Sequence, residues 1–148
     1  MAVLDGADIV YVARRADRSL TTINLFVGAR LPAYCTSMGR VLLAYSPVQE
    51  MRALHAGAVM VKHTAKTITD IEGLEVASKE IRTRGYCMTD QAPEIGVGSV
   101  AAPVRDPYGE VLAARNVSPL AAPVAPQDPW PGASPRPLAA SAPSTCRR

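Results

Sequence analysis

Ala29 to Ala44 read Ala-Arg-Leu-Pro-Ala-Tyr-Cys-Thr-Ser-Met-Gly-Arg-Val-Leu-Leu-Ala, a stretch that changes character in its middle. Leu31-Pro32 is extended, since the proline ring fixes its own φ and biases the residue before it away from helix. Cys35, Thr36 and Ser37 are small and polar, and from Met38 the apolar residues Val41 and Leu42 recur at helical spacing. This order predicts a helix from about Ser37 to Tyr45. Thr36 or Ser37 caps it by accepting a bond from a backbone N–H one turn inside. The first N–H groups of any helix lack internal partners, and the macrodipole makes that end mildly positive. A carboxylate or phosphate can therefore rest on the Ser37–Gly39 backbone without a dedicated charged side chain. An ordinary capped helix start is the competing explanation.

Before this stretch, Val3-Leu4, Asp5-Gly6-Ala7-Asp8 and Ile9–Ala13 read as strand, turn, strand, with Asp-Gly as the hairpin signal. A basic connector (Arg14, Arg15, Arg18) precedes Leu20–Phe26, whose β-branched Thr21, Thr22 and Ile23 predict a third strand ending at Gly28. After it, Ser46-Pro47-Val48-Gln49 predicts a second helix with serine at the cap and proline at the first helical position, running to about Gly57. Thr69-Asp70-Ile71-Glu72 repeats the capping pattern, and Ile71, Leu74, Ala77 and Ile81 give the third helix its spacing. Arg82 and Arg84 suit its negative end and Gly85 its C′ position. Tyr86–Thr89 returns to strand. Ser99–Val104, the turn Asp106-Pro107-Tyr108-Gly109 and Glu110–Val117 form a second hairpin, with Pro103 restricted to an edge or bulge. Hairpins at both ends with helices between them predict an α+β fold: one antiparallel sheet of about six strands carrying helices. There is no room for a βαβ succession or a glycine-rich dinucleotide loop.

The 148 residues suffice for one domain with a real core and are too few for two ordinary ones. Residues 1–118 carry 13 Lys/Arg against 12 Asp/Glu, so the net charge of +3 owes two of its three units to the last 30 residues. No basic stripe of the kind that phosphate-backbone binding needs is present. Residues 119–148 hold 8 prolines and 7 alanines with no apolar periodicity, which predicts a disordered tail beyond a domain of residues 1–118. No signal peptide or membrane-length apolar run is read. Three cysteines (Cys35, Cys87, Cys146) without a CxxC pair argue against a disulfide framework or structural zinc, so a cytoplasmic setting with reduced thiols is expected.

Few residues suggest chemistry. Cys35 and Arg40 resemble a phosphatase cradle, but four residues intervene where five are needed. A lowered Cys35 pKa beside the helix start would still permit thiol chemistry. Asp90 and Glu94 sit in a Pro-containing loop without fixed geometry, near Ser99. His55 and His63, with no clustered Cys, Asp or Glu, make a poor metal site. Neither a metal nor a cofactor is expected. Strand alternation puts Asn116 and Ser118 on one sheet face and Val117 on the other. If that face looks inward, two hydrogen-bonding groups are buried and need a partner, which a polar ligand can supply.

Taken together, these residues resemble the effector-binding domain of IclR-type bacterial transcription regulators. The likeness is densest over Leu31–Ala44. It is supported by Asp5-Gly6 with Ile9–Ala13, Arg84-Gly85-Tyr86, Asp90-Gln91, Pro103-Val104-Arg105-Asp106 and Asn116-Val117-Ser118. The wording Tyr-Cys-Thr-Ser-Met-Gly-Arg is similar to the subgroup controlling aromatic-acid catabolism through the β-ketoadipate pathway. The resemblance implies a GAF-like domain whose pocket takes a small organic or aromatic acid. It implies effector contacts at Ser37, Met38, Thr89 or Asp90, Ser99, Asn116 and Ser118, and no catalytic residue. It also implies homodimers or tetramers, with operator DNA bound through an N-terminal winged helix-turn-helix that is not read in this sequence.

Three departures from the family pattern stand out. Val97 and Gly98 replace a leucine and an arginine before Ser99. Arg115 replaces an apolar residue, which is tolerable only if it faces water or pairs. The Pro/Ala-rich tail replaces a final amphipathic helix, and its vocabulary suits out-of-frame GC-rich coding sequence. Two other readings stay open at this level: a nonfunctional truncated fragment of such a regulator, and a thiol-dependent hydrolase using Cys35.

Overall fold

Two hairpins, one from each end of the domain, build the sheet. The structure, a computed structural model, describes residues 1–15, 26–89 and 99–117. β1 (Ala2–Asp5) and β2 (Asp8–Tyr11) pair antiparallel with Val3 opposite Val10 and Leu4 opposite Ile9, and Gly6 takes φ +61° at the first turn position. That left-handed backbone is what the tight turn requires and what glycine gives at little cost. β3 is Arg30–Pro32 and pairs with β2; Arg30 reaches Asp5 at 2.5 Å and Asp8 at 3.5 Å, tying β3 to the hairpin end. β4 (Cys87–Thr89), β5 (Ser99–Arg105) and β6 (Val111–Val117) complete the sheet, which runs β3-β2-β1-β6-β5-β4, every neighbour antiparallel. Between β5 and β6, the Asp106 carboxylate accepts the N–H groups of Tyr108 and Glu110, both at 2.9 Å. Pro103 lies one residue before the register shift at Val104/Arg105, in the part of β5 that β4 does not reach. This is the environment a strand proline tolerates.

One face of the sheet is covered. Ala2, Ile9, Tyr11, Cys87, Ala101 and Ala114 are buried on it, while Met88 and Val117, which point the other way, are about half exposed. A 3₁₀ turn (Ala33–Cys35) delivers the chain into α1 (Ser37–Tyr45), which lies across that face against β5, β6, β1 and β4. α3 (Ile71–Arg84) packs on the far side of α1. Being covered from both sides, α1 buries Ser37, Met38, Gly39, Val41, Leu42, Leu43 and Ala44, nearly its whole circumference. Gly39 permits this packing, because a Cβ there would overlap the backbone of Ala33. Arg82 of α3 donates to the Ala44 carbonyl at 2.6 Å, placing a cation at the C-terminal end of α1.

Two helix starts differ from the sequence reading. α2 is Val48–His55 and its cap is Pro47, with no capping side chain; Ser46 instead donates to the Leu42 carbonyl at 3.0 Å. The end of α1 and the start of α2 compete for that hydroxyl, and the Leu42 carbonyl, which also accepts the Ser46 N–H at 3.1 Å, takes it. At α3 the cap is Asp70, whose carboxylate accepts from Gly73 N–H at 2.6 Å, and Gly85 closes the helix at φ +79°. Of the strand expected over Leu20–Phe26, residues 20–25 lie outside the described residues; the exposed Phe26 belongs to no strand, and β3 begins at Arg30. Residues 119–148 also lie outside them. Arg115 is exposed, so its charge faces water.

Candidate binding site at the start of α1

The first turn of α1 is held by Thr36, not Ser37. The Thr36 hydroxyl accepts the Gly39 N–H at 3.1 Å, which leaves Ser37 to turn its side chain toward the sheet. There Ser37 Oγ meets Ser99 Oγ at 2.7 Å, and Asn116 Nδ2 donates to the same Ser99 oxygen at 3.2 Å. Ser37 and Ser99 are 4% and 8% exposed. The register explains the convergence: Asn116 stands opposite Ala101, so Ser99 is its diagonal neighbour on the covered face. Thr89 is the cross-strand partner of Ser99 and donates to its carbonyl at 3.5 Å.

Hydrogen bookkeeping gives this cluster a direction. Two hydroxyls carry two protons, and the bond between Ser37 and Ser99 uses one of them. Whichever serine donates, the other proton has no acceptor within the pair, and the Asn116 group that meets Ser99 is an N–H donor. The cluster is therefore donor-rich and sits beside helix N–H groups that lack internal partners. An anion or a carbonyl oxygen is the complementary group.

Ser37, Thr89, Ser99 and Asn116 are thus brought together. Met38 is next to them in sequence, but its side chain is 1% exposed within the core, so its backbone amide is the group it has to offer. Asp90 and Ser118 lie outside the described residues, as does Glu94. Among the described residues no three His, Cys, Asp or Glu side chains are grouped to hold a metal ion. His55 is buried at the end of α2, its Nδ1 donating to the Met51 carbonyl at 2.9 Å, and His63 Nε2 lies 3.4 Å from the Tyr34 hydroxyl. That hydroxyl also donates to the Val61 carbonyl at 2.9 Å, strapping the loop after α2 onto the 3₁₀ turn.

The thiol expectation is corrected. Burial pushes the Cys35 thiol up to about 11, and this outweighs the opposing pull of the Arg40 guanidinium. Cys87 is raised to about 11 for the same reason. Both are protonated near neutrality, and no thiolate nucleophile forms. Arg40 itself enters the sequence reading only as the arginine of a phosphatase cradle that its spacing rules out. Its Nε donates to the Tyr34 carbonyl at 2.8 Å, and its Nη2 is buried with no hydrogen-bond partner among the described residues.

The family model described as "Bacterial transcriptional regulator IclR C-terminal" matches residues 1–128. The chain belongs to the IclR family. The Pca regulon regulatory protein of Pseudomonas putida is 45% identical over 119 residues, which is 80% of this chain and 41% of that protein. The chain thus spans well under half the length of that curated relative. Several solved structures share the fold at more than 25% identity, among them the following two. The inducer-binding domain of the PobR transcription factor from Acinetobacter, a double mutant in complex with 3-hydroxybenzoic acid, is 31% identical with a TM-score of 0.75. The match covers 85% of this chain and 74% of that one. The IclR protein of Thermotoga maritima is 27% identical with a TM-score of 0.73, covering 81% and 49%. These IclR C-terminal domains bear out the GAF-like α+β expectation. Regulators of transcription, not enzymes, make up the family and the relatives, which sets the hydrolase reading aside. No helix among the described residues is long and apolar enough to cross a membrane.

Proposed function

We propose that this IclR-type domain senses a small organic acid, aromatic in the first instance, and couples its binding to the control of catabolic genes. The observation that carries the reading is the donor-rich cluster of Ser37, Ser99 and Asn116 beneath the N-terminal end of α1. In this reading the effector carboxylate takes the spare hydroxyl proton and the Ser37–Met38 backbone amides, while Thr89, Asp90 and Ser118 line the rest of the pocket. The 3-hydroxybenzoic acid bound by the PobR inducer-binding domain and the Pca regulon relative support an aromatic or ring-derived acid. Operator DNA is contacted through a winged helix-turn-helix elsewhere in the full-length regulator, in a cytoplasmic homodimer or tetramer. The described residues contribute no basic surface stripe to that task.

A thermal-shift screen of the 148-residue chain tests this. Protocatechuate, 4-hydroxybenzoate, 3-hydroxybenzoate, β-ketoadipate, pyruvate and glyoxylate are the acids to compare. A cooperative melt that rises with one of them, without turnover of the acid, is the expected result. A melt without cooperativity, or one unmoved by every acid in the set, favours the nonfunctional-fragment reading.

A further inference from the structure

Arg40 is a cation without a counter-charge among the described residues. It stands one turn after Ser37 on α1, and its side chain runs back toward the helix start, as helical side chains do, to reach the Tyr34 carbonyl. The ionisable groups that bear on it are the Cys35 and Cys87 thiols, both of which stay protonated near neutrality. No described carboxylate pairs with it, and Nη2 is buried without a hydrogen-bond partner. The residue is half-buried, and its buried Nη2 end, costly to leave unpaired, suits an anion. The position of Arg40 says where that anion belongs. Cys87, which feels its charge, lies two residues before Thr89 on β4 and on the same face, and Thr89 pairs with Ser99. Arg40 also follows Ser37 by three residues, on the same side of α1, which sets its charge toward the serine-cluster side of the space between α1 and β4–β5.

We infer that Arg40 is a ligand-binding residue, its guanidinium forming the ion pair with the effector carboxylate that the serine cluster orients. This rests on the organic-acid reading above and deepens it, because hydroxyls and amides alone accept a carboxylate or a neutral carbonyl with little preference. The guanidinium makes the site select for negative charge.

The test pairs a carboxylate with its neutral isostere. Wild-type chain, Arg40→Met and Arg40→Lys are titrated calorimetrically with 3-hydroxybenzoate and with 3-hydroxybenzamide. The expected result is that Arg40→Met weakens the acid by about 10- to 100-fold, the size of a charge-assisted bond, and leaves the amide within about twofold. Arg40→Lys, which keeps the charge and loses the fork, falls between. Equal acid affinity in Arg40→Met and wild type overturns the assignment, and so does an equal loss for acid and amide, which marks a structural role. Should Arg40→Met fail to fold, Arg40→Gln, which retains a donor for the Tyr34 carbonyl, is judged by the same criteria. A wild-type chain that binds neither compound overturns the aromatic-acid reading itself, an outcome distinct from the others.

Discussion

Ser37 on α1 and Ser99 on β5 are 62 residues apart in sequence and 2.7 Å apart in space, and Asn116 on β6 donates to the same Ser99 oxygen. Ser99 is therefore the shared node. Removing its hydroxyl takes a bond from both Ser37 and Asn116, whereas removing that of Ser37 takes one bond. Leaving a buried polar group unsatisfied costs about 1–3 kcal/mol. Ser99→Ala is expected to lower stability in urea denaturation by roughly 2 kcal/mol and Ser37→Ala by about 1 kcal/mol. The double variant should lose less than the sum, because the Ser37–Ser99 bond is counted in both. A Ser37→Ala cost equal to or above that of Ser99→Ala would show that Ser99 is not the node.

Gly39 sits inside a helix, where alanine is ordinarily better by about 1 kcal/mol. Here the sign reverses. A Cβ at this position meets the carbonyl oxygen, Cα and carbonyl carbon of Ala33, all backbone, so nothing flexible can give way. Gly39→Ala must push the 3₁₀ turn off α1, and overpacking of this kind costs about 1–3 kcal/mol. The same shift moves the first turn of α1 away from Ser99, so bound acid should weaken along with the fold. Denaturation midpoints and acid titration of the variant check both, and a stabilised Gly39→Ala chain would mean the two segments are not in contact.

The buried thiols impose a pH dependence at the alkaline end. Cys35 and Cys87 are raised from 9.0 to about 11 in the folded chain. Between these values the unfolded chain has released protons that the folded chain still holds, so stability falls as pH rises from about 9 toward 11. Tyr11 and Tyr34 are raised by burial as well and add to the slope. The thiol share is isolated by comparison. The Cys35→Ala/Cys87→Ala chain is expected to lose less melting temperature than wild type between about pH 8 and pH 10.5, and Cys35 and Cys87 of the native wild type, read site by site, should react slowly with iodoacetamide at about pH 7.5. Fast labelling of Cys35 would contradict the burial that holds its proton.

The fold is legible where local chemistry and tertiary demand agree. Asp5-Gly6, Asp106–Gly109, Thr36 and Gly85 each have one good local use, and each is used that way. Ser46 has two, capping α2 or bonding back to α1, and sequence cannot weigh a hydroxyl between two helices. β3 reads only as an extended piece because three residues carry no period; its partner β2 makes it a strand. Alternation separates the face of Asn116 from that of Val117, but which of them looks inward, and the contact with Ser99, depend on the β5–β6 register. The sign of the Cys35 shift is hidden for a physical reason. Proximity to a helix start lowers a thiol only when water or a cation reaches it, and complete burial wins here. Arg40 is noticed only for its spacing from Cys35, because an arginine in an apolar run carries no sequence sign of whether its guanidinium finds a partner.

Charge, not shape, is the property best changed at the cluster. Ser37→Glu would place a carboxylate at the anion-facing helix end, but Ser37 is 4% exposed and packed on Ser99, so the longer chain would also break the fold. Asn116→Asp avoids this, since the residue is half-buried and the two side chains have nearly the same volume. The introduced carboxylate accepts where the amide donated, so the Ser37–Ser99 pair reorients one hydroxyl toward it and remains satisfied. That hydroxyl is the one otherwise available to the effector, and a fixed negative charge now faces an anionic ligand. Both changes oppose a carboxylate. Affinity for 3-hydroxybenzoate is expected to fall at least tenfold, about 1.4 kcal/mol, with 3-hydroxybenzamide losing less because only the lost donor affects it. Calorimetry on the two compounds, with a thermal melt to show that the variant is folded, reads the difference. An Asn116→Asp chain that binds the acid as tightly as wild type would place the carboxylate away from Ser99 altogether.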